Sequence, residues 1–152
     1  MPHPSLSIVF ATETGDCAAM AEFAGKAAEG LGLATRVIDA ATYNTTWLPA
    51  ERLLLFITST REGEPPANAA DFFDLVDEMT APLDALRYAV LALGDSAYDE
   101  FCAAGRRIDT VLAARGAHRL VPRRDVDIHE RPAARDWINA LLASIAAAPA
   151  LM

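Results

Sequence analysis

The chain has 152 residues, a formal net charge of -8 at pH 7 and 53% hydrophobic residues, enough for a single domain with its own core. No apolar run approaches the ~20 residues needed to cross a bilayer, and MPHPSLSIVF lacks the basic, apolar and small-residue series of an export signal, so a cytoplasmic protein without a membrane span is expected. Residues 1–105 carry 5 Lys+Arg against 16 Asp+Glu (net -11) and residues 106–152 carry 8 against 5 (net +3), which argues against nucleic acid and leaves a basic protein partner, or plain solubility, as the meaning of the acid.

The first apolar run, LSIVFA (6–11), is continuous rather than alternating, the pattern of a strand buried on both faces of a parallel sheet. It ends in ATETGDCAAM, where Thr12 and Thr14 supply hydroxyls and Gly15 allows a tight backbone approach. A helix starting near Asp16 places Met20, Phe23, Ala27 and Leu31 on one face, and its free amides and positive dipole end point into the loop. That is a phosphate cradle without lysine, although an ordinary capped strand-to-helix turn explains this loop alone equally well. The absence of Gly-Lys-Ser/Thr and of GxGxxG weakens ATP and NAD readings. Glu13 and Asp16 sit awkwardly here: at ~6 Å and an effective dielectric of about 20, each would repel an anion by roughly 3 kcal/mol, so both are expected to point outward.

Gly32 stops the first helix, and ATRVID (34–39) and RLLLFI (52–57) read as the second and third strands. The polar turn TSTREGEPP (58–66) precedes a helix with Phe72, Leu75 or Val76, and Met79 on one face. The fourth strand, YAVLALG (88–94), runs into LGDSAYDEFCAAG, where Gly94 permits close approach, Asp95 and Ser96 supply polar atoms and Tyr98 offers a flat ring to a flat ligand. A helix starting at Asp99 aligns Phe101, Gly105, Ile108 and Leu112, and Gly116 ends it. HRLVP (118–122) is the fifth strand, the loop RRDVDIHE brings Asp125 and Asp127 near, and Pro132 opens a last helix with Trp137, Leu141 and Ile145 inward.

All these apolar residues are expected in the core, with Cys17 and Cys102 as reduced buried thiols. The β-α alternation repeats five times without linker or internal repeat, giving one doubly wound α/β domain over residues 1–152. In such folds ligands bind at the carboxyl ends of the strands beside the switch point, here the loops 12–17, 58–68, 95–100 and 123–131. A phospho-receiver would need paired acids after strand one and a lysine after strand five, where Ala11-Thr12 and Pro122-Arg123 stand. Hydrolytic chemistry lacks a nucleophile with a matching base, since His3, His118 and His129 belong to no recognisable constellation.

The segments ATETG (11–15), T-S-T-x-E-G-E-P-P (58–66), LGDSAYDEFCAAGRRID (93–109) and D-x-D (125–127) together resemble the flavodoxin-like FMN-binding domain of diflavin reductases, most closely the sulfite reductase flavoprotein. ATETG is also similar to nitric-oxide synthase reductase domains, and the chain's length is similar to that of stand-alone MioC-type flavodoxins. The resemblance covers almost the whole chain, and LGDSxYxxFCxxG is its specific part. It implies a five-stranded parallel sheet in the order 2-1-3-4-5 with helices on both faces, holding FMN.

By that resemblance Thr12, Glu13, Thr14, Gly15, Asp16 and Cys17 hold the phosphate, and Thr58, Ser59, Thr60 and Arg61 line one side of the flavin ring. Leu93, Gly94, Asp95, Tyr98, Phe101 and Cys102 belong to the other side, with Tyr98 stacking and Asp127 near the edge. Two positions depart: the family has an uncharged residue at Asp16 and glycine at Arg61, where the backbone turns toward the ring on reduction. The implied function is an electron carrier between a reductase and an acceptor enzyme, or the FMN domain of a larger reductase, without a substrate of its own. It is expected to be a monomer that docks through Glu62, Glu64, Asp71, Asp74, Asp99 and Glu100. The alternative is a flavodoxin-fold binding module that has lost FMN, for which Asp16 and Arg61 are the grounds.

Overall fold

Four strands, β1 (Leu6–Ala11), β2 (Thr35–Asp39), β3 (Leu53–Ser59) and β4 (Arg87–Gly94), pair in parallel in the order β2-β1-β3-β4. The structure, a computed structural model, describes residues 6–12, 15–60, 65–97 and 102–148. Because β1 has β2 on one side and β3 on the other, the chain reverses direction across the sheet at β1 and β3, the expected place for a ligand crevice.

The continuous apolar runs are explained by two separate cores. Leu53, Leu55 and Ile57 of β3 and Ala89, Leu91 and Leu93 of β4 face α1 (Asp16–Gly30) and α4 (Arg131–Ala146). Leu54 and Phe56, with Tyr88 and Val90, face α2 (Ala70–Glu78) and α3 (Ala103–Ala114) on the opposite side. Alternation of period two is therefore present, but both phases are apolar. Phe56 stacks on Phe72 at 5.3 Å between centroids, and Phe73 meets both rings edge-on.

Several expectations needed correction. β3 extends through Thr58 and Ser59, which pair with Ala92 and Leu93, so these two residues end the strand rather than begin the polar turn. The β2–β3 connection is a 3-10 turn over Thr45–Ala50 containing Pro49, capped by Asn44 Oδ1 accepting from the Thr46 amide at 3.0 Å, instead of an α-helix. Leu31 and Leu75 are 46% and 51% exposed: Leu31 lies just past the last residue of α1, and α2 turns Val76 inward in place of Leu75. α3 begins at Ala103, and the expected start at Asp99 lies outside the described residues.

The fifth sheet position is split. β5 (His118–Arg119) pairs with Arg87 and Tyr88, while β6 (Arg124–Asp127) pairs with Leu91 to Gly94, so the expected strand over 118–122 is shorter and the expected loop contains a strand. Pro122 has no N–H to give the ladder, and Arg119 and Arg123 are drawn to the buried Asp109 of α3. Asp109 accepts from the Tyr88 hydroxyl at 2.6 Å and from Arg119 Nε at 2.7 Å, which pins the broken edge to α3. Gly105 lets the other end of α3 approach β4: a Cβ there would lie 2.3 Å from Ala92 Cβ. Gly105→Ala must push helix from strand and is expected to cost about 1–3 kcal/mol, read as a lower denaturant midpoint with an unchanged slope.

Candidate functional site

The carboxyl ends of β1, β3, β4 and β6 converge on one side of the sheet. After β1 the chain turns at Gly15 (φ +95), whose amide donates to Thr12 Oγ1 at 2.9 Å. Among the described residues, a Cβ built on Gly15 would meet nothing within 4 Å. The first bond inside α1 runs from the Ala19 amide to the Gly15 carbonyl, and the amides of Cys17 and Ala18 have no intrahelical acceptor by the geometry of a helix start. A left-handed glycine followed by outward amides fits a phosphate held by backbone rather than by lysine.

The Cys17 side chain takes no part in that cradle, being fully buried in the α1–α4 core. Burial pushes its thiol up to about 12, opposed by a hydrogen bond to Ser59. Cys102 is equally buried and also pushed up to about 12, chiefly by burial, with its Sγ donating to the Ala92 carbonyl at 3.3 Å. Both stay protonated thiols at neutral pH, as expected of residues without nucleophilic work. The expected repulsion at Asp16 is answered by Arg131 of α4, whose Nη2 lies 2.5 Å from Asp16 Oδ1.

The loops after β3 and β4 are tied to each other. Thr60 donates its amide to the Leu93 carbonyl at 3.1 Å, and its hydroxyl accepts from the Ala104 amide at 2.8 Å. Thr60 thus caps α3 from across the sheet, satisfying an amide that Cys102, the residue at the cap position (φ 60, ψ 25), leaves without a side-chain acceptor. Thr58 is fully buried and donates to the Ser59 carbonyl at 3.2 Å, while Ser59 is half-buried at the strand end. Gly94 is buried and its carbonyl accepts from the Ile128 amide at 2.8 Å.

Asp95 and Asp127 act on loops. Asp95 Oδ1 accepts from the Ala97 amide at 2.9 Å, a local turn. Asp127 Oδ2 accepts from both the amide and the hydroxyl of Ser96, and Oδ1 from the His129 amide at 2.9 Å, joining the turn after β4 to the turn after β6. The Ser96 hydroxyl, followed by the His129 and Ser96 amides, holds the Asp127 carboxyl below the usual carboxylate range. Thr12, Gly15, Asp16, Cys17, Thr58, Ser59, Thr60, Leu93, Gly94, Asp95, Cys102 and Asp127 are thus placed at the strand ends or the first turns beyond them. Glu13, Thr14, Arg61, Tyr98 and Phe101 lie outside the described residues. Arg131 was missed in the sequence because 115 residues separate it from Asp16 and no local spacing links them.

The Flavodoxin family model matches residues 8–137. The chain belongs to the flavodoxin family. It is 38% identical over 138 residues to the sulfite reductase [NADPH] flavoprotein alpha-component of Vibrio parahaemolyticus, covering 90% of this chain and 22% of that protein. The corresponding alpha-component of Bacillus subtilis is 36% identical over 147 residues, covering 93% of this chain and 24% of that one. The chain therefore spans under a quarter of the length of these curated relatives. The solved flavodoxin of Streptococcus pneumoniae TIGR4 superimposes with a TM-score of 0.83 at 26% identity, covering 93% of this chain and 97% of that one.

Family and fold make this flavodoxin-like chain an FMN-binding electron-transfer protein, and the glycine turn, the helix-start amides and the ion-paired Asp16 fit that cofactor's phosphate. Thr60, expected to face the ring, has its hydroxyl committed to α3. Thr60→Val should therefore lower stability by about 1 kcal/mol in the absence of any flavin, with Thr60→Ser close to wild type; equal denaturant midpoints for Thr60→Val and wild type would remove the capping role.

Proposed function

We propose that the chain, as a single monomeric domain over residues 1–152 working in the cytoplasm, takes electrons from a reductase and hands them to an acceptor enzyme, alone or as the FMN domain of a larger reductase. The observation that carries the reading is the convergence of the β1, β3, β4 and β6 carboxyl ends and of the α1 and α3 starts in a chain of this family. Bound FMN supplies the redox chemistry. The protein's share is to hold the phosphate on the α1 amides, fix the ring between the β3 and β4 loops, and leave an edge of the ring open to a partner.

The relatives are alpha-components of sulfite reductase [NADPH] flavoproteins, which supports a place in a chain of electron carriers. Among the described residues no helix is long and apolar enough to cross a membrane, so the partners are reached by diffusion or by covalent linkage in a longer chain. Docking by acidic residues is supported at Asp71, exposed in the first turn of α2. Asp74 is exposed as well but shares Arg107 with Asp77, which reduces its contribution to steering. Glu62, Glu64, Asp99 and Glu100 lie outside the described residues.

The loss of FMN is the weaker reading, because Asp16, one of its two grounds, is paired with Arg131. Titration of the colourless protein with FMN should quench flavin fluorescence and yield a yellow complex. Saturating FMN, roughly a thousandfold over Kd, should add about 4 kcal/mol of stability. Full folding with no quenching at micromolar FMN would establish the binding-module alternative instead.

Arg61, the other ground, also bears on the potential. A cation beside the ring favours the negatively charged reduced cofactor, so Arg61→Gly should lower the potential of the last reduction step, followed spectroscopically during dithionite titration. Identical titration curves would exclude Arg61 from the redox tuning.

A further inference from the structure

Two helix starts meet beside the phosphate loop, and each bears a charge. α1 opens with Asp16, directly after Gly15, and α4 opens with Arg131; the two side chains meet at 2.5 Å with Asp16 26% and Arg131 49% exposed. Asp16 suits the positive end of its own helix dipole but opposes an anion bound at the same amides. Arg131 has the reverse problem, since a cation at the first position of a helix faces a dipole of its own sign. Each is locally unsuited in one respect, and the ion pair answers both. Arg135, one turn further along α4, lines with Asp16, Arg131, Ala19, Met20 and Phe23 a small recess of about 70 Å3 between the two helices. Arg131 pairs with Asp16, and Arg135 lines the same recess, beside a loop that contains no Lys or Arg between Thr12 and Ala18.

We propose that Arg131 is a positioning residue that determines FMN affinity: it holds the Asp16 carboxylate on the α4 side, away from the phosphate, and brings compensating positive charge to a cradle otherwise made of backbone. The inference rests on the FMN reading above and names the residue that lets this chain keep an acid where its family has an uncharged side chain. Its effect is specific to the phosphate, because the pair lies at the α1 start and not at the loops after β3 and β4 that flank the ring.

The test is a fluorescence titration of flavin-free protein with FMN and with riboflavin, which has the same ring and no phosphate. Arg131→Gln is expected to weaken FMN about tenfold while leaving riboflavin within about twofold, and Asp16→Asn combined with Arg131→Gln to return FMN to within about threefold of wild type. Arg131→Lys, which keeps the charge, should stay close to wild type and separates loss of charge from loss of packing. Equal losses for FMN and riboflavin, or an equal FMN loss in the single and double variants, would overturn the proposal and leave Arg131 a structural contact between α1 and α4. Tight FMN binding by wild type and Arg131→Gln alike overturns this inference alone. Failure of wild type to bind either flavin overturns the FMN reading with it.

Discussion

The constraint on which the rest depends is the parallel pairing of β1, β3 and β4 with apolar side chains on both faces. A sheet buried on both sides offers no face to a ligand, so recognition can occur only at its ends. Parallel strands put all their carboxyl ends on one side, and each connection must turn there into a helix whose first amides lack acceptors. The starts of α1 and α3 are brought together in this way, one on each side of the sheet. The two are treated differently: α3 has an amide satisfied from within by Thr60, whereas α1 starts after a glycine with no side-chain cap. The glycine-led helix start is the one suited to a phosphate.

The polar side chains around the crevice are largely committed to one another. Thr12 holds Gly15, Thr60 holds Ala104, and Asp127 holds Ser96 and His129, each reaching across a turn or between two loops. Residue types that look like ligand contacts in a sequence therefore serve here to fix the loops. Among the described residues, what they leave for a cofactor is mainly backbone, which carries no net charge. Pre-organised dipoles of this kind hold an anion without the side-chain entropy that a lysine would lose.

The legibility of the chain divides along physical lines. β1 was readable to its ends because LSIVFA is flanked by polar residues and pairs on both sides, and the burial of Ile8, Val9, Leu55 and Phe56 follows from composition alone. The end of β3 was not: Thr58 and Ser59 read as turn residues, and only their register with Ala92 and Leu93 makes them strand. The split of the fifth position was hidden because HRLVP has β-forming residues whose fate is decided by Asp109 on another element. For the same reason the loops at the site could be located by topology, while the pairs Asp16–Arg131, Thr60–Ala104 and Asp127–Ser96 could not: each links residues 31 to 115 positions apart.

Local preference is broken most clearly at the same end of the sheet. Cys102 is the one non-glycine residue with positive φ among those described, and it sits at the start of α3. Such a conformation costs on the order of 1–3 kcal/mol and persists only where the surroundings hold it. Here the holders are identifiable: the thiol donates to Ala92, the Cys102 carbonyl accepts from the Arg106 amide at 3.1 Å, and Thr60 fixes the next turn. Arg131 at the first position of α4 is a second departure, offset by Asp16. Both departures lie beside the convergent strand ends, where a chain shaped for a ligand is expected to break local preference.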